Sequence, residues 1–144
     1  MLSRVAEAVY WMNRYIERAE NVARFIDVNL QLTLDAATGS AQWQPLVDTT
    51  GDRLVFAERY ETASREHVVE FLTFDIDNSN SILSCLNRAH DNARSVREVI
   101  SSEMWEQIHR YYLMLRQAAR QRRVMAPRTR FLKRSRAPAG CLWG

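Results

Sequence analysis

Glycine and proline are scarce in this 144-residue chain, at four and three residues, and cysteine is scarcer still at two. So few backbone breakers exclude a loop-rich or hairpin-rich design and leave room for long regular elements. No glycine-rich phosphate loop of the P-loop or Rossmann kind is present, and no Gly-x-Ser-x-Gly elbow, so those nucleotide and hydrolase chemistries are not expected. No run approaches the ~20 apolar residues of a membrane span. The opening Met1–Met12 carries Arg4 and Glu7 and lacks the apolar core of a signal peptide, so no membrane association and a cytoplasmic location are expected. Cys85 and Cys141 are too few and too far apart for a disulfide framework or a metal site, and Cys85 reads as a small buried residue. Cys85 and His90 lie more than a helical turn apart, which does not set a thiol on an imidazole. A di-metal bundle needs a Glu-x-x-His step on each of two helices. The chain has one, Glu106-Gln107-Ile108-His109; the residues three before His67 and His90 are Ser64 and Asn87. No metal and no cofactor are expected, and His109 reads as a surface or partly buried polar residue.

What is present is ordinary for one globular domain: 47% hydrophobic residues and enough chain for a single core. The formal charge of +3 is unevenly distributed. Residues 121–144 hold Arg122, Arg123, Arg128, Arg130, Lys133, Arg134 and Arg136 and no acid, which leaves the first 120 residues at −4. The basic isoelectric point belongs to the tail, so nucleic-acid binding is not expected of the domain.

Apolar spacing predicts an all-α fold, an antiparallel bundle of long helices. Leu2, Val5, Val9, Met12, Ile16, Ala19, Ala23, Ile26 and Leu30 advance in steps of three and four, a heptad seam on a first helix from Ser3 to about Asp35. Ser3 is a candidate N-cap and Gly39 a stop. Short helical pieces are expected at Trp43–Thr50 and Arg53–Tyr60. A helix capped by Ser64 follows, with Val68, Val69, Phe71 and Leu72 inward. Asp77-Asn78-Ser79-Asn80-Ser81 is dense in capping residues and introduces a second long helix over 80–101. Its seam is Ile82, Leu86, Ala89, Ala93, Val96 and Ile100. A last helix runs from about Ser102 to Arg120, with Trp105, Ile108, Tyr112 and Leu115 as core candidates. The two long seams are expected to pack on each other.

Above the first seam lies a polar set. At 100° per residue Tyr10, Arg14, Glu17 and Asn21 fall opposite the apolar face, with Arg18 and Arg24 at its sides and Glu20 one turn from Glu17. Such charge runs often mean no more than a solvated helix face. They also suit a buried polar network that fixes helix register, or an anion site in which free arginines beside Asn and Tyr hold a carboxylate or phosphate. The second long helix offers Arg88, Asn92, Arg94 and Ser95, which could converge with Arg14, Glu17, Asn21 and Arg24.

Two ordered blocks carry a resemblance. Leu2-Ser3-Arg4-Val5-Ala6, Tyr10-Trp11-Met12 and Arg14 through Arg24 form the first. Asn78 through Ile82, Asn92 through Glu98 and Ser101 through Glu106 form the second. Over about residues 1–118 the chain resembles the bacterial alpha-E domain family, named for its helical fold and Glu-Arg motif, here Glu17-Arg18. The family's usual Ala-Arg-Glu-Asn-Ala-Arg is Ala89-His90-Asp91-Asn92-Ala93-Arg94 in this chain, so positions 90 and 91 depart from it. The resemblance implies a setting and not a reaction: such domains sit beside, or are fused to, circularly permuted ATP-grasp proteins and transglutaminase-like proteins. The first make amide bonds through acyl phosphates; the second cleave or exchange amides. An ATP-grasp-type or transglutaminase-like protein is thus the expected partner.

The domain is expected to occupy residues 1–120 and the tail 121–144 to be disordered or non-native. Periodicity and acids stop near Arg122, and another reading frame through Phe131-Leu132-Lys133-Arg134-Ser135 can encode Phe-Glu-Ala and an aliphatic residue. Family members usually continue with more helices, so truncation by frameshift is the expectation, and with it an uncovered apolar surface and self-association. Taken together, a non-catalytic partner or substrate-binding module of an amide-ligating or amide-modifying system is expected. A purely structural domain with a register-fixing network, or an enzyme using Glu17 and Arg18, are the alternatives. The candidate site residues are Arg14, Glu17, Arg18, Glu20, Asn21, Arg24, Asn92 and Arg94.

Overall fold

The structure is a computed structural model that describes residues 2–35 and 43–125. Gly39 and most of the basic tail, with the expectations of a helix stop and of a disordered or non-native end, lie outside the described residues. Six helices and no strand occur among those described: α1 Leu2–Asp35, α2 Gln44–Thr50, α3 Arg53–Arg59, α4 Arg65–Thr73, α5 Ile82–Ser95 and α6 Ser102–Met125. The fold is all-α.

α1 contains no glycine or proline and runs unbroken for 34 residues, roughly 51 Å. It begins at Leu2, so Ser3 lies inside the first turn and does not cap it. Its buried residues are Met12, Ala19, Val22 and Ile26. Two members of the expected seam are displaced: Ala23 is exposed while Val22 is buried, and Leu2 is 89% exposed. The reason is the mismatch between a 3.5-residue seam and a straight 3.6-residue helix. At 100° per residue, Leu2, 17 positions before Ala19, points about 100° away from it, and roughly half of that offset is the drift of about 20° per heptad.

α5 is the central helix. It makes its most extensive contact with α1 and the next with α6. Met12 of α1 meets Ala93 near the end of α5, and Ile26 of α1 shares a cluster with Ile82 at its start, so the two helices run antiparallel. Ile108 of α6 completes the small core around Met12 and Ala93. The larger core lies at the other end, where α2, α3 and α4 fold over α1. It contains Val22, Ile26, Trp43, Leu46, Val47, Phe56, Val68, Phe71 and Leu72.

The short helices are set by local chemistry. Pro45 sits in the first turn of α2, where its missing N–H costs nothing, and Gly51 ends that helix at φ +78°, donating its N–H to the Asp48 carbonyl. Ser64 caps α4 and Ser81 caps α5, each Oγ accepting the N–H three residues on. Between α4 and α5 the capping-rich segment folds on itself: Asn78 is buried, its Nδ2 donates to the Phe71 carbonyl and its Oδ1 accepts the Asn80 N–H. Arg59 of α3 reaches across to Asp75 at 2.5 Å and Asp77 at 2.6 Å. Asn80 Nδ2 donates to the Asp52 carboxylate, both oxygens at 3.1 Å. The α2–α3 pair is thereby tied to the turn that launches α5.

α5 is shorter than the expected 80–101 helix. It stops at Ser95, and residues 96–100 form a turn in which Val99 and Ile100 both donate their N–H to the Val96 carbonyl. Ser95 Oγ donates to the Asn92 carbonyl, and Val96, Val99 and Ile100 are β-branched, so this stretch is a poor helix former. Ser101 then caps α6 by accepting the Met104 N–H. α6 continues five residues past the expected Arg120, to Met125.

Candidate functional site

The polar set of α1 divides into two environments. Arg14 and Glu17 pair at 2.9 Å on one helix face, with side chains 49% and 60% exposed. A pair that open to water contributes little to stability. Glu20, Asn21 and Arg24 are exposed. Arg18 does not belong to this solvated face: it is half-buried on the side that meets α5.

Arg18 lies with its guanidinium 5.9 Å from the centre of the Tyr15 ring. Arg88 approaches the same ring from α5, at 5.6 Å. Trp11 leans on Tyr15 from one turn earlier, with ring centres 5.8 Å apart. Beneath the two arginines lies Cys85, fully buried. Burial pushes its thiol up, and the positive charges of Arg18 and Arg88 only partly oppose that. The thiol is thus kept protonated and inert. Neither arginine has a carboxylate within ion-pair distance among the described residues, so their donors remain open to an anion.

The other polar residues that α5 offered make local bonds. Asn92 Nδ2 donates to the Arg88 carbonyl on its own helix, Arg94 pairs with Asp91 at 3.5 Å, and Ser95 bonds back to Asn92. These are i to i±3 and i±4 contacts, which the sequence spacing permitted but did not select. The meeting of α1 and α5 is instead made by Tyr15, Arg18 and Arg88.

A second feature of α1 was not read from the sequence. Trp11, Arg14, Arg18, Asn21, Phe25, Val28 and Leu32 recur in steps of three and four and form a second heptad row beside the packed one. Its apolar members are exposed, from 40% at Trp11 to 61% at Leu32. The arginines and the asparagine sit in the middle of this row, with large apolar residues at both ends. The signal was in the sequence, but the row became distinct only once the structure showed that α5 packs on the other one.

α5 and α6 bring together the histidines. His90 Nε2 and His109 Nδ1 are 2.9 Å apart, and the His90 ring stacks on Tyr112 and His109 and meets Trp105 at a tilt. Burial first, then the charge of His109 and of Arg94, lowers the proton affinity of His90, with Asp91 opposing. The unfolded chain therefore takes up a proton at His90 more readily than the folded one. Stability is full above the ordinary histidine value of 6.5 and is lost as pH falls through that value toward the lower folded one. Melting at about pH 5 should lie below melting at about pH 7.5, and His90→Gln should shrink that difference. A melting temperature unchanged across that range would show that His90 is not held neutral. Among the described residues no group of three His, Cys, Asp or Glu side chains is placed to hold a metal ion. No described helix is long and apolar enough to cross a membrane.

The family model for Alpha-E, a predicted alpha-helical domain with a conserved ER motif, matches residues 1–143. The chain belongs to the Alpha-E family. The match runs past residue 118 and through the basic tail. Comparisons with curated proteins and with solved structures found no match. This Alpha-E chain contains two Glu-Arg pairs, Glu17-Arg18 and Glu58-Arg59. The arginine of the first faces Tyr15 and the α1–α5 edge. That of the second is bound to Asp75 and Asp77 and serves the fold. Burial lowers the proton affinity of Arg59, but hydrogen bonds and charge from Asp75 and Asp77 outweigh it and hold the guanidinium in its charged form.

Proposed function

We propose that this Alpha-E domain is a non-catalytic helical partner module of an amide-bond-forming or amide-modifying system, docking through the second heptad row of α1. The observation that carries this reading is the row itself: Trp11, Phe25, Val28 and Leu32 are exposed at heptad spacing around Arg14, Arg18 and Asn21. An apolar stripe with polar residues at its centre is how helix pairs combine affinity with fixed register. Arg18 and Arg88 add a demand for negative charge, so the matching surface is an apolar helical segment bearing a carboxylate. The family setting names an ATP-grasp-type or transglutaminase-like protein as its source. The exposure of the Arg14–Glu17 pair argues against a buried register-fixing network, and Cys85 offers no nucleophile.

Glu17→Ala should change stability by less than about 0.5 kcal/mol. Arg18→Ala, which removes one contact to Tyr15, should cost about 0.5–1 kcal/mol. Arg18→Ala and Phe25→Glu should each abolish co-purification with an ATP-grasp-type or transglutaminase-like protein, while both variants still melt cooperatively. Retention of that partner by both variants would refute the docking face. Self-association through the same row is the competing occupant; light scattering of the chain over a range of concentrations, with and without Phe25→Glu, distinguishes it.

A further inference from the structure

A second surface, on the opposite side of α5, is independent of the α1 row. Between α5 and α6 lies a groove of about 500 Å³. Its floor is Leu83 and Ala119, both buried, with Ile76 at one end. Arg116, Arg120 and Arg123 of α6 form one wall, and Asn87 and Asp91 of α5 form the other. The three arginines follow an i, i+4, i+7 pattern and thus share one helix face. Arg116 is oriented by Tyr112, to whose hydroxyl its Nη1 donates at 2.7 Å, which leaves its other donors open. Arg120 and Arg123 have no ion-pair partner among the described residues. Arg122, on the neighbouring face, pairs with Glu70 at 3.0 Å and covers the Phe74 ring, so this end of α6 is held against α4 and the groove keeps its shape.

We infer that this groove binds an acidic peptide segment in extended form, with carboxylates on alternate residues. Arg116 and Arg120 are about 6 Å apart along the helix axis, and Arg116 and Arg123 about 10.5 Å. Side chains on one edge of an extended peptide recur every ~6.7 Å. Arg116 and Arg120 therefore meet two successive carboxylates, each suited to the planar fork of arginine, and Arg123 adds charge beyond them. The Asn87 amide can bond the peptide backbone, and the apolar floor accepts the intervening side chains. A compact phosphate fits less well: the cations are strung out along the helix, and Asp91 on the facing wall repels a concentrated dianion.

Fluorescence anisotropy of the full chain with a dye-labelled peptide carrying glutamate at alternate positions tests this. Saturable binding is expected, at least tenfold weaker in the double variant Arg116→Gln, Arg120→Gln and absent for the same peptide with glutamine. Asp91→Asn should tighten binding several-fold, a gain that misfolding cannot produce. Arg128→Gln with Arg130→Gln should leave binding unchanged, separating the groove from the charge of the tail. The inference is overturned by no saturable binding, by equal loss in the tail variant, or by tripolyphosphate or a single-stranded oligonucleotide binding as tightly as the peptide. Arg18→Ala should not affect this binding, so the docking face and the groove fail or stand separately.

Discussion

Phe71→Ala should destabilise the domain by about 3–5 kcal/mol, the range for deleting a buried aromatic. Phe71 is fully buried at the centre of the larger core. Its ring meets Phe56 edge-on at 5.1 Å and Tyr60 at 6.1 Å, so it is where α3 packs against α4. Truncation leaves a void lined by these aromatics, and the short helices cannot collapse into it because they are pinned elsewhere. α2 and α3 are only seven residues each, too short to hold helical structure without tertiary contacts. Against a total of about 5–15 kcal/mol, the loss is a large fraction. Urea unfolding should show the midpoint displaced at nearly constant slope. Hydrogen exchange should show α2 and α3 opening first. A change below about 1 kcal/mol would mean that the α2–α4 cap is not part of the cooperative core.

The second large effect is expected at Arg59. Its guanidinium bonds Asp75, whose side chain is only 9% exposed, and Asp77, which is half exposed. Arg59→Ala leaves the Asp75 carboxylate beside the core without its partner. Breaking a buried pair costs about 3–5 kcal/mol, and the partial exposure of Arg59 reduces that to about 2 kcal/mol. The same substitution removes one of the two ties between α3 and the turn before α5, leaving only Asn80 on Asp52. Arg59→Ala, Asp75→Asn should recover much of the loss, because no charge is then stranded. A double variant no more stable than Arg59→Ala alone would show that the guanidinium acts through its contact area and not its charge.

These two positions differ in how far the sequence exposed them. Phe71 is legible in the chain: it lies at helical spacing with Val68 and Leu72 behind the Ser64 cap. Arg59 was not, because its partners are 16 and 18 residues away and no local spacing links them. The same divide runs through the candidate site. Glu17-Arg18 is visible as a motif, yet spacing alone put Arg18 only at the side of the polar face and offered Asn92 and Arg94 to Arg14, Glu17, Asn21 and Arg24. The direction from which α5 approaches placed Arg18 beside Tyr15 and Arg88 and left Asn92 and Arg94 to local bonds. The early end of α5 has a like cause: Ile100 continues the apolar period, but Ser95 and the β-branched run let the backbone turn, and burial of Val96 rewards the turn as well as the helix.

By itself the amino-acid sequence determined the helical class, where most helices begin, and the middle of a first seam, Met12, Ala19 and Ile26. These depend on periodicity, capping side chains and scarce breakers, all of which act within a few residues. Only the tertiary structure decided which arginines meet, that α5 lies between α1 and α6, and that a second row on α1 and a groove beside α5 stay open. Those outcomes depend on the rotation of one helix against another. A drift of about 20° per heptad is enough to exchange a buried residue for an exposed one, and no local pattern records it.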